Sequence, residues 1–255
     1  MNYDIYRRWR DEPDARPPRL SVVIPAYNEK VRIVPTIGAF AAFLSGTEIP
    51  WELIVADDGS LDETVALVEM LDHANIRVLR AERNGGKGSA VRRGVFEARG
   101  DLVLFADADC STPVDELFRL EAAIVAGADV AIGSRTELGA AVEHRSGIRR
   151  LLTFGLRQIV RLGLGVPVKD TQCGFKLFKA DAARSLFGAQ TVGGFSFDLE
   201  ILYLAARRGF RIAEVPVRWY DAPGSKVDAR KEVVRFVQSI ARIRWNALSG
   251  VYADA

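Results

Sequence analysis

The sequence predicts an α/β protein: one mostly parallel sheet with helices over both faces. From Leu20 onward, short apolar runs that suit buried strands alternate with segments of about twelve residues that suit helices, which is the pattern of βα units around a shared sheet. Polar clusters follow the carboxyl ends of the strands, at Tyr27 to Glu29, Asp57 to Ser60, Asp107 to Asp109 and Gly133 to Arg135. Ligands of such sheets sit off those ends, so the clusters mark the expected site on one edge.

Residues 1 to 19 are polar and end in Pro17 and Pro18, so they read as a surface arm. The fold starts at Leu20 with "LSVVIPAYNE", a strand running into a loop, followed by a helix over 30 to 45. "WELIVADDGS" repeats the strand and loop, "LDETVALVEMLDHA" the helix, and "IRVLRA" is the next strand. The glycine-rich "RNGGKGSA" then leads into the helix "AVRRGVFEARG", and "DLVLFADAD" is again a strand. "PVDELFRLEAAIVAG" is read as a helix and "ADVAIGSR" as a strand, which completes a Rossmann-like half. After Arg135 the alternation stops. There follow a basic amphipathic segment over 148 to 165, a loop "VKDTQCGFKLF", a helix near 197 to 208, a strand "FRIAEVPVRW" and a basic helix over 230 to 248. One domain is expected over 20 to 227, with the amphipathic helix and tail beyond it over 228 to 255.

A chain of 255 residues, 49% hydrophobic and 27% charged, has the make-up of an ordinary globular protein with a substantial core. Lysine and arginine number 35 against 33 acidic residues, a near balance that gives no reason to expect nucleic-acid binding. Cys110 and Cys173 have no metal-ligand spacing and make no disulfide framework, so a reducing compartment is expected. His73 and His144 show no metal-like spacing either. The first residues lack the apolar centre of a secretory signal. No apolar run reaches the roughly 18 to 20 residues of a membrane span. The expectation is a cytoplasmic protein able to rest on a membrane without crossing it.

Asp107 and Asp109 flank the small Ala108 at the end of an apolar strand, where two like charges are costly unless something positive sits between them. A hard divalent ion would relieve that repulsion, since Mg²⁺ or Mn²⁺ takes one or two carboxylates and completes its shell with substrate phosphates. The alternative is a turn or helix cap, because "DCSTP" also suits a helix start. Asp57 and Asp58 before Gly59 and Ser60 are open to the same two readings: a turn, or a carboxylate meeting a base or ribose. The "RNGGKG" loop has neither the G-x-x-x-x-G-K-[ST] nor the G-x-G-x-x-G order, but Lys87 at a helix start suits a diphosphate, while the glycines by themselves explain a tight turn.

Taken in order, "SVVIPAYNE", "VADDGSLDET", "NGGKGSAVRRG", "FADADCSTP", "GSR", "DTQCGFKLF", "FSFDLEIL" and "PGSKV" resemble the inverting family 2 glycosyltransferases of GT-A fold over about residues 20 to 227. "DTQCGFKLF" and "GSKV" resemble their dolichyl-phosphate glucosyltransferase and polyprenyl-phosphate sugar synthase branch. The resemblance implies a nucleotide-sugar donor held by Pro25, Tyr27, Glu29, Asp57, Asp58, Lys87, Asp107 and Ala108. It also implies a Mg²⁺ or Mn²⁺ ion on Asp107 and Asp109, with Asp109 catalytic. The implied acceptor is a polyprenyl monophosphate gripped by Arg135, Arg145 and Lys226, for which a guanidinium fork is well shaped. If a base is used, Asp198 is the first candidate and Asp170 the second, with loop fixing the alternative for Asp170. Arg218 and Trp219 are present, but Val215 stands where the glutamine of the processive QxxRW motif would be, so polymer synthesis is disfavoured.

The expected reaction is transfer of one sugar, glucose from UDP-glucose, to polyprenyl phosphate. GDP-mannose as donor, a soluble acceptor, and nucleotide-sugar binding without catalysis are the alternatives. Relatives of the branch carry transmembrane helices that this sequence does not show. Its two basic amphipathic segments include Arg150, Arg157 and Arg161 in the first, and Arg235, Arg242 and Arg244 in the second. Their apolar faces suit an anionic membrane surface, the protein's own core or a second subunit of a homodimer.

Overall fold

The computed structural model describes residues 16–137, 139–140, 160, 163–166, 168–220 and 229–252. Within them lies a seven-stranded sheet. Its strands are β1 (Leu20–Ala26), β2 (Trp51–Asp57), β3 (Ile76–Arg80), β4 (Leu102–Ala106), β5 (Val130–Ser134), β6 (Phe175–Lys179) and β7 (Ile212–Pro216). They lie in the order β3-β2-β1-β4-β6-β5-β7. β1 pairs in parallel with β2 and β4, β2 with β3, and β5 with β7. Only β6 runs antiparallel, between β4 and β5.

Alternate side chains along the strands feed two cores, as the two-residue period of a strand requires. Val22, Ile24, Leu53, Val55 and Leu104 face one side, where α1 (Ile33–Leu44) and α4 (Leu117–Val125) cover them. Val23, Ile54, Val103 and Phe105 face the other, beneath α3 (Lys87–Glu97), α5 (Ala180–Gly188) and α6 (Phe197–Arg207). The short α2 (Thr64–Glu69) adds Val68 to the first side. It stops well before the end of the expected helix, and Asp72 turns the chain at a left-handed φ of +40°.

Two differences from the sequence expectation concern the segment after Gly174. Residues 175 to 178, read as loop, form β6 together with Lys179, and α5 follows where no helix was anticipated. In "FKLFK" Phe175 and Leu177 enter one core and Phe178 the other, but Lys176 interrupts the second face while only 1% exposed. A buried lysine in an apolar run disguises the strand.

The C-terminal helix, α7 (Ala229–Leu248), matches its expected span. Its Phe236, Ile240 and Ile243 are buried in the same core as α3 and α6, so the described part of its apolar face packs inward. Tyr252 fastens the end of the chain by donating its hydroxyl to Glu200 of α6 at 2.6 Å. Glu200 also accepts the Thr191 and Val192 N–H groups at 2.9 and 2.7 Å. Burial pushes the Tyr252 phenol up to about 12, and the neighbouring carboxylate adds to it. Val160 and Leu164 pack in this core too, while most of the other basic segment, with Arg150, Arg157 and Arg161, lies outside the described residues.

At the amino end of the sheet, Glu52 on β2 is 1% exposed. It accepts the Ser21 hydroxyl at 2.7 Å, the Arg99 N–H at 2.8 Å and the Arg77 guanidinium at 3.0 Å. Burial by itself would raise this carboxyl, but the bonds from Ser21 and the arginines outweigh it and hold it below the usual range. The group therefore stabilises the fold above the unfolded value of about 4.3 and loses that contribution as pH falls through its lower folded value. Glu52→Gln should cost about 1–3 kcal/mol in urea unfolding at pH 7. The difference from the native chain should shrink in acid; a difference that does not change with pH would remove the ionic part of the explanation.

Candidate active site

β4 delivers the acid pair to the carboxyl edge. The Asp107 N–H donates to the Gly174 carbonyl at 3.0 Å, which ties the end of β4 to the turn leading into β6. A Cβ on Gly174 would stand 1.9 Å from Asp107 Oδ2, so only glycine lets the carboxylate lie there. The Ala108 carbonyl accepts the Thr36 hydroxyl of α1 at 2.7 Å, and Cys110 turns the chain with φ +51°. Asp109 Oδ1 accepts the Ser111 N–H at 3.0 Å, as a turn-forming aspartate does. The helical turn that follows begins at Val114 without a side-chain cap, so the geometry carries the turn reading and not the helix-cap reading. Asp107, Asp109, Cys110, Thr112, Gly174 and Trp219 line an open cleft.

Cations crowd this pair. Lys87, the first residue of α3, holds its ammonium 2.7 Å from Asp107 Oδ1 and over the rings of Phe105 and Phe195 at 5.2 and 5.8 Å. Asp107 Oδ1 is buried and has no aligned hydrogen bond, so the contact acts as a charge pair. Burial would lower the Lys87 pKa, but Asp107 first and Asp198 second raise it above its ordinary value. Beneath it, Lys176 is fixed by Asp198 Oδ1 and the Cys173 carbonyl, both at 2.6 Å, with Phe105 at 5.6 Å. Burial pushes Asp198 up, against the pull of Lys176 and Lys87. At 4% exposure, in the first turn of α6, Asp198 is thus a buried partner of Lys176 under the cleft. Arg32 grips Glu29 at 2.6 and 2.5 Å; that bond raises its pKa against burial, and Asp109 and Asp107 add to it.

The donor set fits a divalent metal. Among the described residues no three His, Cys, Asp or Glu side chains cluster as a complete protein cage. Two carboxylates with open positions are what Mg²⁺ or Mn²⁺ uses when substrate phosphates complete the shell. The buried Asp107 Oδ1, met only by a lysine charge, is an oxygen such an ion would satisfy.

The other sequence candidates divide between the cleft edge and its supports. Tyr27 is 41% exposed at the end of β1, whereas Pro25 is buried within it. The Asn28 and Glu29 N–H groups donate to Ser60 and Thr64 at 2.9 and 2.8 Å, which joins the loops after β1 and β2. Asp57 and Asp58, expected at the base or ribose, are 0% and 2% exposed, and backbone donors occupy their oxygens. Asp57 accepts Gly59 and Ser60 N–H at 3.0 and 3.1 Å. Asp58 reaches across to the glycine loop and accepts Gly85 and Gly86 N–H at 3.0 and 2.7 Å. Burial raises the Asp58 carboxyl despite those donors. Both carboxylates thus fix loops at the carboxyl edge: Asp57 its own turn, and Asp58 the glycine loop.

Arg135, at the end of β5, donates Nε and Nη2 to Asp170 at 2.8 Å each, and its N–H donates to the same carboxylate at 2.9 Å. Burial would raise Asp170, yet the Arg135 fork brings it down to about 2. Asp170 therefore fixes its loop to β5, and Arg135 keeps Nη1 outside that pair. The Arg135 guanidinium also lies 5.4 Å from the Trp219 ring. Arg218 pairs with Asp115 and Glu116. Arg145, His144 and Lys226 lie outside the described residues. Sequence reasoning missed Gly174, Lys176 and Arg32. The first two stand in "CGFK", where a glycine beside a lysine in an apolar run was the available signal.

Residues 21–187 match the family described as Glycosyl transferase family 2. A dolichyl-phosphate beta-glucosyltransferase of Dictyostelium discoideum is 38% identical over 248 residues, covering 91% of this chain and 76% of that relative. Its namesake in Saccharomyces cerevisiae is 36% identical over 258 residues, covering 92% and 77%. Among solved structures, glucosyl-3-phosphoglycerate synthase of Mycobacterium tuberculosis, in complex with Mn²⁺, uridine diphosphate and glucosyl-3-phosphoglycerate, superposes with a TM-score of 0.63. It is 21% identical and covers 89% of this chain and 78% of its own, a likeness of fold. The expected GT-A-like α/β architecture is thus the observed one.

The Gly174 contact gives a direct test. Gly174→Ala must push the Asp107 carboxylate aside, so Mn²⁺ affinity should fall by about tenfold, or about 1.4 kcal/mol. Thermal unfolding should move by only a few degrees, and unchanged Mn²⁺ affinity would show that the carboxylate does not need this seat.

Proposed function

The chain belongs to glycosyl transferase family 2, and from that premise we propose that it transfers one glucose from UDP-glucose to a polyprenyl phosphate of the dolichyl type, with inversion and with bound Mg²⁺ or Mn²⁺. The observation that carries this reading is the acid pair Asp107 and Asp109 lining one cleft at the carboxyl edge of the sheet, with the Lys87 ammonium 2.7 Å from Asp107. The activity named for the relatives that match 91% and 92% of the chain supports the acceptor.

In this reading Tyr27 and Glu29 meet the base and ribose, while Pro25, Asp57, Asp58 and Ala108 act through the backbone they fix. Asp107 and Asp109 would hold the metal, which when bound acts as a Lewis acid on the leaving diphosphate. Lys87 adds a positive charge where negative charge builds as the sugar bond breaks. An acceptor phosphate oxygen forms the new bond to the anomeric carbon from the opposite face, and the electron pair of the old bond leaves with UDP. A phosphate monoester with a second pKa near 6 is largely dianionic at neutral pH, so the nucleophile needs placement more than deprotonation. Arg135 offers Nη1 for that placement, and Arg145 and Lys226 are assigned the same task on their sequence positions. Asp198 then works as the partner that holds Lys176 and not as a base.

No helix among the described residues is long and apolar enough to cross a membrane. A lipid acceptor still requires contact with a bilayer. Trp245 and Leu248 stand 72% and 79% exposed near the end of α7, and exposed Arg244 lies beside them, which supports peripheral contact with a bilayer surface; the cytoplasmic face is part of the proposal.

The test is release of nucleoside diphosphate from UDP-glucose and from GDP-mannose, with Mn²⁺, with and without a short polyprenyl phosphate. Lipid-dependent UDP release that stops with EDTA and yields a β-linked product is expected. Asp109→Asn should lower kcat/KM by about 10²–10³-fold with the fold intact. Preference for GDP-mannose would replace the donor, and UDP release indifferent to the lipid would replace the acceptor.

A further inference from the structure

We infer that Glu200 is a positioning residue for the diphosphate end of the donor site: it holds the loop whose Gly193 carbonyl caps α3, and so fixes the helical turn that carries Lys87. This inference rests on the proposed donor site. It starts from an irregularity at the beginning of α3. The residue before the first turn of a helix ordinarily offers a side-chain oxygen to an N–H two or three positions on. Here that residue is Gly86, at φ +94°, with no side chain to offer. The Ser89 N–H donates instead to the Gly193 carbonyl at 3.1 Å. The cap of α3 therefore comes from a loop far along the chain.

That loop, residues 190 to 196 between α5 and α6, meets the glycine loop backbone to backbone. A Cβ on Gly193 would stand 2.8 Å from the Gly85 carbonyl oxygen, and one on Gly86 would run into the Gly193 carbonyl. With no side chain between them, a shift of one loop passes directly to the other. Phe195, in the same loop, also lays its ring 5.8 Å from the Lys87 ammonium. Glu200 is what fixes the loop. It is 0% exposed in the first turn of α6, and its carboxylate accepts four donors. The Thr191 and Val192 N–H groups reach Oε2 at 2.9 and 2.7 Å, and the Thr191 and Tyr252 hydroxyls reach Oε1 at 2.6 Å each. Asn246 of α7 donates to the Thr191 hydroxyl oxygen at 2.9 Å. Buried at this depth, Glu200 acts through the backbone it holds and not on a ligand. Its effect belongs to the helix start, where negative charge is favoured. Tyr27 and Glu29, assigned to the base and ribose, are held by other bonds, from the Asn28 and Glu29 N–H groups to Ser60 and Thr64. Loosening Glu200 should therefore disturb the diphosphate end and spare the nucleoside end.

The measurement is affinity for UDP with Mn²⁺ present, and for uridine, by ligand-observed NMR titration in the native chain, Glu200→Ala, Glu200→Gln and Gly193→Ala, with thermal unfolding followed for each. Glu200→Ala should weaken UDP by about tenfold and leave uridine unchanged, since a small misplacement of a binding group is costly. Glu200→Gln keeps one acceptor oxygen for the backbone pair and should lose only part of that affinity. Gly193→Ala forces the two loops apart with Glu200 intact, and should match Glu200→Ala. If Glu200→Ala does not fold, the other two variants decide. UDP and uridine weakening together in the glutamate variants would make Glu200 a purely structural residue, and unchanged UDP affinity in Gly193→Ala would remove the loop contact; either overturns the inference while the donor site stands. If the native chain binds neither UDP nor uridine, the donor site falls and this inference with it.

Discussion

A carboxylate taken out of water is stable only if positive charge or hydrogen-bond donors meet it, and the carboxyl edge of this sheet is arranged around that requirement. Asp57 and Asp58 are met by backbone N–H groups, Asp170 by the Arg135 fork, Asp198 by Lys176 and Glu29 by Arg32. Asp107 differs from them. Its one buried oxygen faces a lysine that is partly solvated and poorly aligned. The fixed pairs give the cleft its shape, and the loose pair is where a ligand can enter at least cost.

The fixed pairs also explain why carboxylates that look alike in sequence do different work. Asp57 and Asp107 both end apolar strands, yet the first folds back on its own turn while the second lies in the space that Gly174 leaves open. The difference lies in what surrounds each carboxylate. Asp57 meets the N–H groups of Gly59 and Ser60 in its own turn, whereas β4 runs beside β6, whose leading turn supplies a glycine surface and a carbonyl.

Most of the sheet was legible because β1, β2, β4 and β5 are largely apolar and end in polar clusters, so strand and edge could be read together. The acid pair at Asp107 and Asp109 was legible for the same reason, and Lys87 was singled out by its place at a helix start. β6 was hidden because Lys176 makes sense only with Asp198, a residue 22 positions on. Gly174 was hidden because its reason is a carboxylate 67 positions earlier, at 1.9 Å from where a Cβ would stand. Asp57 and Asp58 were open to two readings since burial decides between them, and burial is a property of the assembled loops. The apolar face of α7 was ambiguous likewise until Ile243 was found in the core.

The antiparallel β6 has a consequence for the order in which the protein comes into being. β5 makes no ladder with β4; it pairs only with β6 and β7, which follow it in the chain by some 40 and 80 residues. During synthesis the first four strands can assemble among themselves, but β5 has no neighbour until residues 175 to 179 emerge and slot in beside β4. Such late, distant pairing is slow to form. The ribosome therefore delivers Asp107 and Asp109 well before the glycine against which Asp107 lies and the lysine bonded to the carbonyl just before it. A nascent chain carries the acidic motif without the pocket, and catalytic competence has to wait for the last third of the polypeptide.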